Sequence, residues 1–212
     1  MTPSEMRTEY TLAGLYEADA GDDPIELFGR WFHDALKAEV PEPTAMTLAT
    51  ATGAGLPAAR TVLLKSFDHH GFSFFTNYLS RKGRELEANP RAALLFFWPQ
   101  LERQVRIEGT VAKVAPEVSD HYFASRPRLS RLGAIASPQS EVIPDRTVIE
   151  RRMADLEDQY PGDAIPRPDN WGGYIVAPTM IEFWQGRPSR LHDRLRYTKQ
   201  PDGQWLRERL GP

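Results

Sequence analysis

Ile25, Phe28, Phe32 and Leu36 recur at helical spacing and predict a helix that Asp23 caps, Pro24 opens, and Pro41 and Pro43 stop. The residues before it, 1–20, are polar without a sustained period and read as a mobile arm in front of one domain spanning 21–212. After Pro43 the pattern changes to short β-prone runs separated by turn signals. These runs are Ala45 to Ala51, Ala58 to Phe67 and Phe72 to Thr76, divided by Gly53-Ala54-Gly55 and by Asp68 to Gly71. Ser80 begins a short basic helix that ends near Asn89-Pro90. Ala92 to Trp98 is apolar without alternation and is expected as a buried strand. From Gln104 to Lys113 the alternation is clear: Gln104, Arg106, Glu108 and Thr110 share one face, and Val105, Ile107 and Val111 the other.

Pro116 to Tyr160 is expected to hold two or three helices, with Val148, Arg152, Leu156 and Tyr160 close to helical period, followed by a loop from Pro161 to Asn170. The tail returns to strands at Gly173 to Trp184, Leu191 to Thr198 and Gln204 to Leu210. Several antiparallel strands with helices inserted between them place the chain in the α+β class, as a barrel. A sheet of this size closes to remove its edges or pairs across a dimer.

Composition narrows the chemistry. With 212 residues, 41% of them hydrophobic, the chain has material for one substantial core. Its longest apolar run, Ala92 to Trp98, is far below the roughly 18 residues of a membrane span, and the start MTPSEMRTEY lacks the apolar stretch of a signal peptide. A cytoplasmic protein is expected. The absence of cysteine excludes disulfides, thiolate metal sites, iron–sulfur clusters and a cysteine nucleophile. A net charge of −3 and a pI near 6.0 give no global field toward nucleic acid or an anionic membrane. Among the cations, 21 Arg stand against 5 Lys, and the planar fork of Arg suits phosphate and carboxylate. A GC-rich coding sequence accounts for such a total equally well, so only local clusters discriminate: 81–84, 103–106, 126–131 and 187–196.

No P-loop or dinucleotide fingerprint is present, since Gly53-Ala54-Gly55 lacks the third glycine and the following helix, so any phosphate must be held by side chains. There is no HExxH, no GxSxG and no close histidine pair other than His69-His70 in a turn, and no metal site is expected. Arg60 and Lys65 are an odd number of residues apart. Either their strand bulges or they serve different ligands. Arg106 can pair with Glu108 or Glu102. Near the C-terminus, alternation puts Arg190, His192 and Arg194 on one strand face. Such a row either binds an anion or electron-rich ligand or is an exposed edge neutralised by Asp193, Glu182 and water. Trp184 belongs either to the core or beside a planar cofactor, while Trp171 and Trp98 read as core.

These segments together resemble the pyridoxamine 5′-phosphate oxidase family, also called pyridoxine 5′-phosphate oxidases. The likeness runs from about Met6 to the C-terminus. It is carried by RTVLLK from Arg60 to Lys65, Thr76-Asn77 with Ser80 to Gly83, RQVRIEG from Arg103 to Gly109, Ser125 to Arg128, and EFWQG from Glu182 to Gly186 with Arg190 to Arg194. The resemblance implies an antiparallel FMN-binding split β-barrel with inserted helices, assembled as a homodimer with FMN in clefts between the subunits. It implies oxidation of pyridoxine or pyridoxamine 5′-phosphate to pyridoxal 5′-phosphate, with O2 as acceptor and H2O2 as product. As FMN contacts it implies Arg60, Thr61, Val62, Leu63, Leu64, Lys65, Phe75, Thr76, Arg81, Lys82, Gln104, Gln139, Ser140, Trp184 and Arg194. Lys65, Tyr122, Arg126 and Ser130 would hold the substrate phosphate. Arg190, Leu191 and His192 would lie over the pyridine ring, with Arg190 and His192 as the catalytic pair, and Arg7 and Tyr10 would form a lid.

Four positions depart from the family pattern: Phe75 for a tyrosine, Leu129 for a glycine, Ile135 for a tryptophan and, as a minor change, Gly211 for an alanine. Within this reading Arg190 positions the ring for hydride transfer, and Arg194 favours the reduced flavin through its charge. Two other function classes stand beside it. One is a flavin or pyridoxal phosphate carrier on the same barrel, against which the second phosphate-holding set weighs. The other is an RNA-binding module, against which the acidic pI weighs.

Overall fold

The computed structural model describes residues 9–212. A one-turn helix α1 (Glu17–Ala20) precedes the first long helix, α2 (Pro24–Lys37). Asp23 caps α2 as expected, its carboxylate accepting the N–H of Ile25 at 2.7 Å and of Glu26 at 3.4 Å. The buried stripe of α2 is Ile25, Leu27, Phe28, Trp31 and Ala35. Leu36, expected on that stripe, is exposed because the helix turns it past the sheet. Phe28 is the centre of an aromatic cluster, meeting Phe67, Phe72 and Phe96 at ring distances of 4.9, 4.9 and 5.1 Å in edge-on geometry. Through it α2 plugs the sheet.

Nine strands form one antiparallel sheet among the described residues. They are β1 (Ala45–Ala51), β2 (Pro57–Leu63), β3 (Ser66–Asp68), β4 (Gly71–Asn77), β5 (Arg91–Trp98), β6 (Arg103–Lys113), β7 (Trp171–Gln185), β8 (Asp193–Lys199) and β9 (Trp205–Leu210). The main order is β2-β1-β5-β6-β7-β4-β3, with β8 and then β9 added beyond β7. The 15 residues of β7 pair with β6 along one edge and divide the other edge between two partners, 171–176 with β4 and 180–185 with β8. Splitting one strand between two neighbours lets the sheet curl into a barrel on one side while β8 and β9 extend it on the other. Curling is completed where the chain leaves β2. The Leu64 N–H bonds the Thr44 carbonyl and the Lys65 N–H bonds the Ser73 carbonyl, so the run expected as one strand from Ala58 to Phe67 breaks there into β2 and β3.

One face of the curled sheet, with Leu48, Leu94, Ile107, Ile181 and Tyr197 in register, is wholly buried. On the other face β5 alternates after all, and Phe97 is 51% exposed. The apolar composition of that strand therefore does not mean burial on both sides in a single chain. Helix α3 (Arg81–Ala88) follows β4, with Ser80 accepting the Gly83 N–H as its cap. Between β6 and β7 lie α4 (Pro116–Ser125), α5 (Arg128–Ala136) and α6 (Thr147–Gln159). They form a second, smaller core of Phe123, Leu132, Ile165 and Trp171. No helix among the described residues is long and apolar enough to cross a membrane.

Candidate active site

Where the helical insertion meets β2 and the end of β4, a cavity of about 990 Å3 opens. Of the expected site residues, Arg60, Thr61, Val62, Leu63, Lys65, Phe75, Thr76, Arg81, Lys82, Tyr122, Arg126, Ser130, Gln139 and Ser140 line it. Arg60 and Lys65 face the same cavity because the strand breaks between them. Five of the lining side chains are cationic, and among the described residues no carboxylate lines the cavity. Glu85, just outside the lining, pairs with two of these cations, and the others repel one another until an anion enters.

At one end Arg60 and Arg81 converge on Glu85, their guanidinium nitrogens 2.9 and 2.8 Å from its two oxygens, and Thr50 adds a hydroxyl at 2.5 Å. Glu85 is 5% exposed. Burial pushes its pKa up, but the hydrogen bonds from Thr50, Arg81 and Arg60 outweigh burial and leave it below the ordinary value. Beside it the buried Lys82 ammonium donates to Thr76 Oγ1 at 3.1 Å and to Gln139 Oε1 at 3.4 Å. Burial, and then the charge of Arg60, lower the Lys82 pKa. Gln139 is fixed further by the Thr76 hydroxyl at 3.0 Å, which leaves its amide nitrogen free of those bonds. Ser140 next to it takes a left-handed φ of 73°.

The other end is aromatic and basic. Tyr122 stacks on Phe75 at 4.0 Å, and Trp171 continues the stack at 5.6 Å from Phe75. Lys65 Nζ lies 5.9 Å from the centre of the Tyr122 ring, and the Arg126 guanidinium lies 4.7 Å from that of Trp171. Arg126 Nη1 is buried and has no hydrogen-bond partner, and burial lowers the Arg126 pKa. An unpartnered buried guanidinium N–H costs free energy unless a ligand accepts it. Ser130, on the exposed side of α5, completes this end. Of the departures noted in the sequence, Leu129 is exposed and Ile135 packs against the second core.

The remaining expected residues do not line this cavity. Leu64 is 4% exposed and belongs to the main core. Gln104, Trp184 and Arg194 form one cross-strand row on the outer face of the sheet, in register with Phe97. His192 lies 4.6 Å from Trp184 between ring centres, and Tyr10 packs edge-on against both, at 5.7 Å from Trp184 and 5.8 Å from His192. The Arg187 N–H bonds His192 Nδ1 at 3.1 Å, so Nδ1 is the acceptor and a neutral ring carries its proton on Nε2. Burial, and then the charge of Arg190, lower the His192 pKa.

The expected strand face of Arg190, His192 and Arg194 is not formed. Strand β8 starts only at Asp193, and Ser189 and Arg190 both take left-handed φ, 56° and 62°. Leu191 and Arg190 are exposed in this loop. Arg7 lies outside the described residues.

Neutralisation of these arginines follows the sheet register. Buried Glu182 accepts from Arg194 at 2.9 Å and from Arg106 at 2.8 Å, with Glu108 at 3.5 Å from Arg106 and Glu102 elsewhere. Two contributors escaped the sequence reading: Glu85 and Trp171. Glu85 meets its partners only through long-range folding, and Trp171 was assigned to the core alone.

A model described as pyridoxamine 5′-phosphate oxidase matches residues 32–160, and one described as the pyridoxine 5′-phosphate oxidase C-terminal dimerisation region matches 171–212. The chain belongs to the pyridoxamine 5′-phosphate oxidase family. A relative in this family from Rubrobacter xylanophilus, named pyridoxine/pyridoxamine 5′-phosphate oxidase, is 60% identical over 98% of this chain and 95% of its own length. Pyridoxamine 5′-phosphate oxidases are oxidoreductases, and the enzyme class expected from the sequence holds. Among solved structures, PhzG from Burkholderia lata, in complex with tetrahydrophenazine-1-carboxylic acid, superposes with a TM-score of 0.89 at 34% identity, covering 95% of this chain and 100% of that one. A pyridoxamine 5′-phosphate oxidase-related, FMN-binding protein from Nostoc punctiforme has a TM-score of 0.70 at 18% identity, covering 86% of this chain and 96% of that one, and shares the fold. The expected split barrel is the observed architecture.

Proposed function

We propose that the chain is a cytoplasmic, homodimeric oxidase that converts pyridoxine or pyridoxamine 5′-phosphate to pyridoxal 5′-phosphate with FMN and O2, releasing H2O2. The observation that carries this reading is the cavity with two cationic ends, one of which keeps the buried Arg126 Nη1 without a partner. Glu85 already pairs Arg60 and Arg81 at the first end, and a phosphate there would still leave Lys65 and Arg126 at the other without a counter-ion. Ligand pockets span roughly 300–1,000 Å3, so this cavity, at the top of that range, has room for a cofactor and a substrate together.

The residues present fit FMN. Arg60, Arg81 and Lys82, with Thr76, Gln139 and Ser140, are a donor set for a phosphate monoester, and Val62 and Leu63 supply apolar lining. When bound, FMN supplies a two-electron acceptor for the hydride leaving the substrate carbon, with O2 as the final acceptor. Lys65, Tyr122, Arg126 and Ser130 bind the substrate phosphate and so orient the pyridine. Gln104, Trp184, Arg190, Leu191, His192 and Arg194 reach the cavity from the partner subunit across the outer sheet face, with Arg7 and Tyr10 as a lid. His192, held neutral by burial and Arg190, offers an Nε2–H to the ring substituents, and Arg190 fixes the ring by position.

The test is a visible spectrum of the purified protein during anaerobic addition of pyridoxine 5′-phosphate, followed by air. Bleaching of a flavin band and its recovery, with pyridoxal phosphate and peroxide formed, is the expected result. A yellow protein that never bleaches would mean a flavin-binding barrel with another substrate or a carrier role, and a protein unable to take up FMN would sink the oxidase and flavin-carrier readings alike. Unphosphorylated pyridoxine should lose at least 100-fold in kcat/KM, since charge-assisted hydrogen bonds contribute about 1.5–3 kcal/mol each.

A further inference from the structure

Of the segment before α1, Thr11 and Leu12 are held to the barrel by one carboxylate, that of Glu102. Glu102 lies in the turn between β5 and β6, is 7% exposed, and takes a left-handed φ of 54°. Its Oε1 accepts the Thr11 N–H at 3.3 Å and its Oε2 the Leu12 N–H at 3.1 Å. The same residue is tied to the end of β7 through its backbone. Its carbonyl accepts the Gly186 N–H at 2.7 Å and the Gln185 side-chain amide at 3.2 Å.

Gly186 gives an independent sign that this arrangement is built in. A Cβ at that position would lie 2.7 Å from Tyr10 Cγ and 3.0 Å from Glu102 Cβ. Only glycine lets Tyr10 and Glu102 pack together against this backbone. Tyr10 is thereby set edge-on against Trp184 and His192. The contacts farther along, from Arg187 to the Ala13 carbonyl and from Asp193 to the Leu15 N–H, anchor residues 13–15 and leave the placing of Tyr10 to Glu102.

We propose that Glu102 is a positioning residue for the reaction: by gripping the amides of Thr11 and Leu12 it places Tyr10 over His192 and Trp184. This rests on the reading of His192 as a substrate-side group given above. Glu102 touches neither substrate nor cofactor, and its effect passes entirely through the segment it holds. Replacing one carboxylate oxygen by an amide nitrogen sets a donor against a donor, so Glu102→Gln is the informative change. Glu102→Gly also removes the grip and relieves the left-handed backbone, so it keeps the turn in case the first variant misfolds.

Two measurements on the full chain decide the matter. In hydrogen exchange, the amides of Thr11 and Leu12 should exchange about tenfold faster in both variants, in line with loss of hydrogen bonds to a charged group, while β5 and β6 keep wild-type protection. In steady-state kinetics, kcat/KM for pyridoxine 5′-phosphate should fall about tenfold in Glu102→Gln, and combining it with Tyr10→Ala should produce no further fall beyond Tyr10→Ala alone. Wild-type exchange at Thr11 and Leu12 in the variants would overturn the proposal, and so would multiplicative effects of the two substitutions. If the wild-type protein shows no turnover, the functional reading fails, while the exchange data still decide whether Glu102 holds the segment.

Discussion

Arg126 carries the greatest unmet demand of any side chain in the cavity, because its Nη1 is buried without a partner. That demand separates binding from stability. Arg126→Met keeps much of the packing on Trp171 and removes a desolvated charge, so the ligand-free protein should melt at the wild-type temperature or slightly above it. KM for the phosphorylated substrate should meanwhile rise between about tenfold and 100-fold, for loss of a charged hydrogen bond of roughly 1.5–3 kcal/mol. A calorimetric melt and a substrate titration check both halves.

His192 makes a pH prediction. Its folded pKa lies below the ordinary imidazole value, so between those two values the unfolded chain binds more protons and stability rises with pH. NMR titration should find the ring neutral at pH 7, and Arg190→Ala, by removing a like charge, should move its pKa upward. Glu85 behaves in the same sense, in the lower pH window of a carboxylate. Its lowered pKa contributes stability that is present above the ordinary carboxylate value and lost as pH falls through the folded one. Glu85→Gln should therefore flatten the acid limb of a stability curve.

At the scale of elements, α3 depends on close backbone contact as much as on its cap. A Cβ on Gly83 would lie 2.0 Å from the Tyr78 carbonyl oxygen, a contact that neither backbone can relieve cheaply. Gly83→Ala should lower the melting temperature more than Ser80→Ala, whose lost cap is worth about 1 kcal/mol, although alanine is the better helix former. The elements themselves were legible where the pattern is local: the cap and start of α2, the alternation of β6, and the β8–β9 hairpin.

Where a distant partner decides, the pattern was silent. The break after β2 exists because Leu64 and Lys65 bond Thr44 and Ser73, which no local signal announces. Arg60 and Glu85 are 25 positions apart, so their pairing belongs to the fold and not to any motif. Alternation misled at Arg190, where left-handed backbone interrupts the strand before it begins.

At the scale of the molecule, the outer sheet face carries Phe97, Leu206 and the row from Gln104 through Trp184 to Arg194. If this face joins two copies, Leu206→Glu should shift sedimentation from dimer to monomer and weaken FMN binding in the same variant, although Leu206 lies outside the cavity. The resemblance motifs made both groups of residues visible in the sequence. What they could not convey is that only one group lines the cavity of a single chain. That division has a genetic consequence. If the outer face of each subunit completes the other's cavity, as proposed, Lys65→Ala spoils the cavity of its own subunit and His192→Ala spoils what its subunit lends to the other. In a mixed pair both lesions fall on the same site and the second site is wholly intact. Co-expressing two dead alleles should therefore restore about a quarter of wild-type activity by random pairing, whereas two lesions within the cavity group should restore none.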